Sequence, residues 1–246
     1  MAHTGHSPAQ GERVLALLST AQTLSAQMPP AALDALSPAT QAYVRGLANP
    51  KRFRESFLGR ALLEMLRRRY VPGARMTETP PHTPLLVTAE GIPAACASIA
   101  HTGRSTSTVA VALSGCGGAV AVDCEEMADR ENWLDIARHA LPEEACRVLI
   151  DAAGGAAQPT PPCPREAFYR AWGQKECMIK LNRDGEHYRL AVIDGKIEVV
   201  RTESGARLQT ETLLTREGGV LVTLVSESVG ALTLEEFTLE ALLGAL

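Results

Sequence analysis

The sequence has no apolar run near the ~18 residues that a membrane span requires, so no span is expected. Its opening, Met1-Ala-His-Thr-Gly-His-Ser-Pro, has no basic stretch leading into an apolar one, and a secretory signal is not expected either. There is no Cys-x-x-Cys pair among the six cysteines Cys96, Cys116, Cys124, Cys146, Cys163 and Cys177. In a chain of this length without an export signal, cysteines at such scattered positions read as reduced and structural, and the protein as cytoplasmic. Positive charge is not in excess. Lys and Arg number 24 against 28 Asp and Glu, a net −4, which gives no global field for nucleic acid or an anionic membrane. An anionic ligand must therefore meet a local basic cluster. What remains is ordinary: 46% hydrophobic and 21% charged over 246 residues, enough for one large core or two smaller ones.

Residues 1–11 read as a disordered polar tail. Ser37-Pro38 reads as a helix start, with serine as cap and proline in the first turn. After Pro50 a longer helix is expected, because Phe53, Phe57, Ala61 and Met65, with Leu58, Leu62 and Leu66, repeat every four residues. Arg52, Arg60, Arg67 and Arg68 fall on its other side. Residues 72–84 read as loop. Strands are expected over 97–101, 108–113 and 119–125, the last two joined as a hairpin through Ser114-Gly-Cys-Gly-Gly118. Residues 131–149 read as helix, 154–164 as a Gly- and Pro-rich loop, and 165–181 as a strong helix. From 187 to 226 apolar and polar residues alternate between glycine-containing turns, as in antiparallel strands, and 234–243 read as a closing helix. Helix followed by strands, twice, predicts an α+β protein of two similar lobes.

Three places carry possible chemistry. Asp123 and Glu125 stand two apart on a strand, so their carboxylates share a face at the rim of a core, where hard oxygen donors suit Mg²⁺. Taken alone, such a pair more often marks a strand running into solvent. Trp172, Glu176 and Lys180 stand four apart on one helix face, where Glu and Lys at that spacing usually form a surface pair of ~0.3–0.5 kcal/mol. Phe168, Tyr169 and Trp172 beside them imply partial burial. His101, at a strand end, reads first as a hydrogen-bonded structural residue, and when protonated is able to meet a phosphate.

In this order, Ala97-Ser-Ile-Ala-His-Thr102, Ala121-Val-Asp-Cys-Glu125 and Phe168-Tyr-Arg-Ala-Trp-Gly-Gln-Lys-Glu-Cys-Met-Ile-Lys180 resemble the signature set of the surfactin-type (Sfp-type) 4′-phosphopantetheinyl transferases. That family carries a Ser-Ile-Ser-His segment, a Gly-[Ile/Val]-Asp-[Ile/Val]-Glu strand and a Trp-x-x-Lys-Glu-x-x-x-Lys helix. Upstream, Lys51-Arg52-Phe-Arg-Glu-Ser-Phe-Leu-Gly-Arg60 resembles the Arg-containing helix of the enterobactin-synthase branch. Downstream, Gly219-Val-Leu-Val-Thr-Leu-Val-Ser226 resembles that branch's last strand. The likeness runs from about Leu36 to Ser226.

The resemblance implies transfer of 4′-phosphopantetheine from coenzyme A to a serine of an apo acyl or peptidyl carrier protein, with release of 3′,5′-ADP. It implies Asp123, Glu125 and Glu176 as ligands converging on one Mg²⁺, and Glu176 also as base for the serine. Lys180 is implied as the cation on the transferred phosphate, with Lys175 nearby. His101, helped by Arg52 and Arg60, is implied as the contact to the coenzyme A 3′-phosphate. The implied architecture is two pseudo-symmetric lobes in a monomer, residues 12–118 and 119–246, each a helix on a small antiparallel sheet, with the active site in the cleft between them. Some positions depart from the family pattern. Ile92 stands where a lysine is frequent, Glu90 lies near a place usually basic, and Ala100 replaces the serine before His101. The lost cations at Ile92 and Glu90 keep open a catalytically weakened relative that docks carrier proteins, and a second alternative is an unrelated Mg²⁺-dependent phosphohydrolase in which Asp123, Glu125 and Glu176 activate water.

Overall fold

The structure, a computed structural model, describes residues 12–20, 30–78, 84–102, 107–115, 118–154, 164–183, 185–215 and 219–246. The expected tail at 1–11, the middle of the loops at 72–84 and 154–164, and the centre of the Ser114–Gly118 connection lie outside them. The chain is mixed α and β. Its described strands form three sheets, and the residues divide into two compact units, one drawn from Met1–Val120 with Glu227–Leu246, the other Ala121–Ser226. The last twenty residues, expected in the second lobe, therefore belong with the first unit.

In the first unit a sheet runs in the order β11 (Leu232–Phe237), β1 (Arg13–Thr20), β5 (Ser107–Gly115), β4 (Pro93–Thr102), β3 (Leu85–Val87), β2 (Arg75–Thr77). Short helices α1 (Pro30–Asp34) and α2 (Pro38–Arg45) precede the long α3 (Pro50–Tyr70). The local signals act as read. Ser37 Oγ accepts from the Thr40 amide, and Asn49 Oδ1 accepts from the Lys51 and Arg52 amides at 2.9 and 3.1 Å, with proline following each cap. Phe57, Leu58, Leu62 and Leu66 of α3 pack with Val14, Leu18, Val109, Val111 and Leu113 of the sheet. Gly59 permits the close approach, since a Cβ there would stand 2.6 Å from the Ile99 side chain of β4.

Contact reaches so far round α3 that its middle is buried on more than one face, and Arg60, expected on the solvent side, is only 6% exposed. Its guanidinium donates to both Glu78 oxygens at 2.9 and 2.8 Å and stacks 4.1 Å above the Tyr43 ring. Glu64 is held likewise by Arg67 and Arg68. An unpaired charge there would cost several kcal/mol, so each buried charge comes with its partner. β1 is apolar and buried from Val14 to Leu18. It pairs antiparallel with β5 and parallel with β11, and Arg13 donates to the Gly230 carbonyl at 2.7 Å beside that parallel pair. The chain then closes with α7 (Leu239–Ala245).

In the second unit β6 (Val120–Glu126) lies beside β10 (Val220–Ser226), which pairs antiparallel with β9 (Gln209–Leu214). β6 does not form the expected hairpin with β5, since the two strands belong to different sheets. The helix read over 131–149 is two, α4 (Trp133–Ala140) and α5 (Glu143–Ala152), divided at Leu141-Pro142. Proline there lacks the amide that a continuous helix needs. A hairpin of β7 (Tyr188–Ile193) and β8 (Lys196–Arg201) follows α6 (Arg165–Leu181), whose bounds match the sequence reading. α6 packs on β10 through Gly173, where a Cβ would stand 2.3 Å from Thr223 Oγ1. Among the described residues no helix is long and apolar enough to cross a membrane.

Candidate functional site

Within the second unit, β6 and α6 bring the two carboxylate-bearing motifs together. Period-two alternation puts Asp123 and Glu125 on one side of β6, and four-residue spacing puts Trp172, Glu176 and Lys180 on one side of α6. The Lys180 ammonium donates to Asp123 Oδ1 at 2.9 Å and to the Val122 carbonyl at 2.7 Å. The Trp172 indole N–H donates to Glu125 Oε1 at 2.9 Å. Lys175 lies 4.6 Å above the Trp172 ring and donates to Glu176 Oε1 at 2.8 Å. The Glu176–Lys180 surface pair that the spacing predicts is therefore not made. Each residue has another partner, Lys175 for Glu176 and Asp123 for Lys180.

The aromatic residues upstream do more than bury the helix. Phe168 stacks on Trp172 at 6.2 Å between centroids, and Trp133 of α4 meets Phe168 edge-on at 6.3 Å. That packing fixes the indole whose N–H reaches Glu125. The Tyr169 hydroxyl, which takes hydrogen bonds from the Ala128 amide and the Arg130 guanidinium, ties the segment after β6 to α6. This hydroxyl's role was not legible in the sequence.

The electrostatics match a crowded acidic site. Burial, then the neighbouring Asp123 carboxylate, push Glu125 up to about 7, against the Trp172 hydrogen bond and Arg130; Glu176 adds to the rise. Burial opposes the Lys180 ammonium, but the Asp123 carboxylate outweighs it, and Lys180 stays above the ordinary lysine value. Asp123 Oδ2 is buried without a hydrogen-bond partner. Three carboxylates thus face two ammonium groups, with one buried oxygen unsatisfied.

A donor set of that kind fits Mg²⁺, which takes one or two carboxylates and fills its shell with water and phosphate oxygens. Asp123, Glu125 and Glu176 are the side chains that would hold it. Among the described residues no three His, Cys, Asp or Glu side chains form a finished ligand group. Lys180, Trp172 and Lys175 each donate to a different one of the three carboxylates.

The residues expected at the 3′-phosphate belong to the first unit. His101, 45% exposed at the end of β4, places Nδ1 3.2 Å from Glu55 Oε2. Arg52 is exposed in the first turn of α3. Arg60 is committed to Glu78 and Tyr43, so it does not present a free guanidinium to an anion. Sequence reasoning missed Glu55 and Glu78. For Glu55 a signal existed, since it is an acidic residue inside the basic run Lys51-Arg-Phe-Arg54 and its continuation. Glu78 lies in a segment read only as loop, and nothing in its surroundings pointed to Arg60. No family model and no curated protein sequence matches the chain.

Proposed function

We propose that the chain is a Mg²⁺-dependent 4′-phosphopantetheinyl transferase, moving the phosphopantetheine of coenzyme A to the serine of an apo carrier protein. The observation that carries the reading is the meeting of β6 and α6. The Asp-x-Glu strand and the Trp-x-x-Lys-Glu-x-x-x-Lys helix, distant in sequence, touch through Lys180–Asp123 and Trp172–Glu125.

The chemistry needs charge neutralisation and positioning more than covalent help from the protein. Serine oxygen attacks the β-phosphorus, the one attached to pantetheine; the bond to the α-phosphate breaks and 3′,5′-ADP leaves. Glu176 accepts the serine proton, directly or through water. Lys180, kept charged by Asp123, stabilises the negative charge on the transferred phosphate, and Trp172 holds Glu125 in place. When bound, Mg²⁺ supplies Lewis-acid neutralisation of the pyrophosphate oxygens. The reading further takes His101, of the first unit, as the contact to the coenzyme A 3′-phosphate.

Release of 3′,5′-ADP, followed by chromatography, tests the reaction. Release should require coenzyme A, Mg²⁺ and an apo carrier protein together. Release without carrier, or inorganic phosphate as the product, points instead to a phosphohydrolase. No release, with the carrier still bound, points to a docking protein.

A further inference from the structure

Glu55 is a carboxylate with 5% of its side chain exposed, in the second turn of α3. One oxygen, Oε2, faces His101 Nδ1 at 3.2 Å. The other, Oε1, is 3.6 Å from the Lys51 ammonium, an ion-pair distance, and makes no hydrogen bond. A charge taken out of water needs an oppositely charged or donating neighbour to offset its lost hydration. Of these two groups, the His101 ring nitrogen is the nearer.

From this geometry we propose that Glu55 is a positioning residue for substrate selection, holding His101 as an imidazolium so that the second ring nitrogen donates to the 3′-phosphate of coenzyme A. The inference rests on the transferase reading. Its physical basis is the donor inventory of histidine. A neutral ring with its proton on Nδ1 offers only a lone pair at Nε2, which repels a phosphate oxygen. A doubly protonated ring offers N–H on both sides. A carboxylate against Nδ1 favours the doubly protonated form, as an opposite charge at hydrogen-bond distance does. Glu55 thereby turns a half-exposed histidine into a charged donor, where Arg60, locked on Glu78, cannot serve.

Two measurements on the full chain decide it. The first is the ¹⁵N spectrum of the histidine rings, with His101 assigned by His101→Gln. The wild-type ring should be doubly protonated at neutral pH, and Glu55→Gln should return it to a neutral ring. The second is the steady-state constants with coenzyme A and with 3′-dephospho-coenzyme A. Glu55→Gln should raise KM for coenzyme A about ten- to a hundredfold, the loss of one charge-assisted hydrogen bond, with kcat and the constants for the dephospho substrate little changed. His101→Gln, at an exposed position, should do the same, and the double variant should be no worse than His101→Gln alone. A neutral wild-type ring, equal losses on both substrates, or additive losses in the double variant overturn the proposal. A wild-type chain that transfers from neither substrate overturns the transferase reading instead, and the ring spectrum, which needs no turnover, still decides whether Glu55 holds the imidazolium.

Discussion

Lys180 and Asp123 show how a single contact changes the expected behaviour of a variant. As an exposed helix pair, Lys180 could be removed at a cost below ~1 kcal/mol. Against Asp123 at 2.9 Å, with Asp123 8% exposed, removal strands a buried carboxylate. Lys180→Met should therefore lower both the transfer rate, by ~10²–10³-fold, and the melting temperature, by an amount on the order of 3 kcal/mol in stability. Adding Asp123→Asn should restore much of the stability and none of the rate. Thermal denaturation of the three proteins checks this; a single variant that melts like wild type would mean that the buried pair does not form. Glu125 gives a pH test. Its folded pKa of about 7 lies above the ordinary 4.5, so the folded state holds the proton more tightly than the unfolded one. The stability contribution is complete below 4.5, declines as pH rises through 4.5 to 7, and stays lost above. In metal-free buffer, wild type should lose stability relative to Glu125→Gln across that window, as measured by urea denaturation at a series of pH values. A constant difference would contradict the burial and like-charge account. What was legible at this scale was the side of each element, because periods of two and of four are properties of the local backbone. The partners were not legible, because Lys175 against Glu176 and Asp123 against Lys180 depend on how β6 and α6 meet.

At the scale of elements, α6 was readable to its ends, since apolar spacing, a preceding proline-rich segment and the terminal Lys180 agree. β1 was not, because the buried run Val-Leu-Ala-Leu-Leu from Val14 has no alternation to separate a strand from a helix. β5 and β6 were read as a hairpin from the glycines between them, whereas the sheet each joins depends on β1, β4 and β10 far away in sequence. The interior of α3 misled in another way: a four-residue apolar repeat marks one buried face and says nothing about whether the others are covered too. The contact of α6 with β10 makes a prediction of its own. Alanine is the better helix former by ~1 kcal/mol at an interior glycine, yet Gly173→Ala would push a methyl group 2.3 Å from Thr223 Oγ1. The overpacking should win, leaving the variant destabilised by ~1–3 kcal/mol and slower in transfer, because the helix carrying Glu176 and Lys180 is displaced. Calorimetry and a transfer assay check both, and a more stable Gly173→Ala protein would show that the close approach is absent.

For the whole molecule, the chain leaves the first unit after Val120 and re-enters it at Glu227. Nothing local in the sequence announces the return, since β11 joins β1 across more than 200 residues of chain. Ending the chain after Ser226 should thus damage the first unit, not the second. It would expose the β1 edge and remove the buried Leu242. Hydrogen exchange should show β1 amides losing protection while those of β10 keep most of theirs; uniform loss in both units would contradict the division. The account of function rests on one event, the covalent transfer. Incubating an apo carrier protein with the chain, coenzyme A and Mg²⁺ and recording the intact carrier mass tests it most directly. The account predicts a gain of one phosphopantetheine on the carrier serine, abolished by chelation of the metal and by replacement of Glu176. An unmodified carrier after long incubation, with carriers of the fatty-acid, polyketide and peptide types all tried, would contradict it.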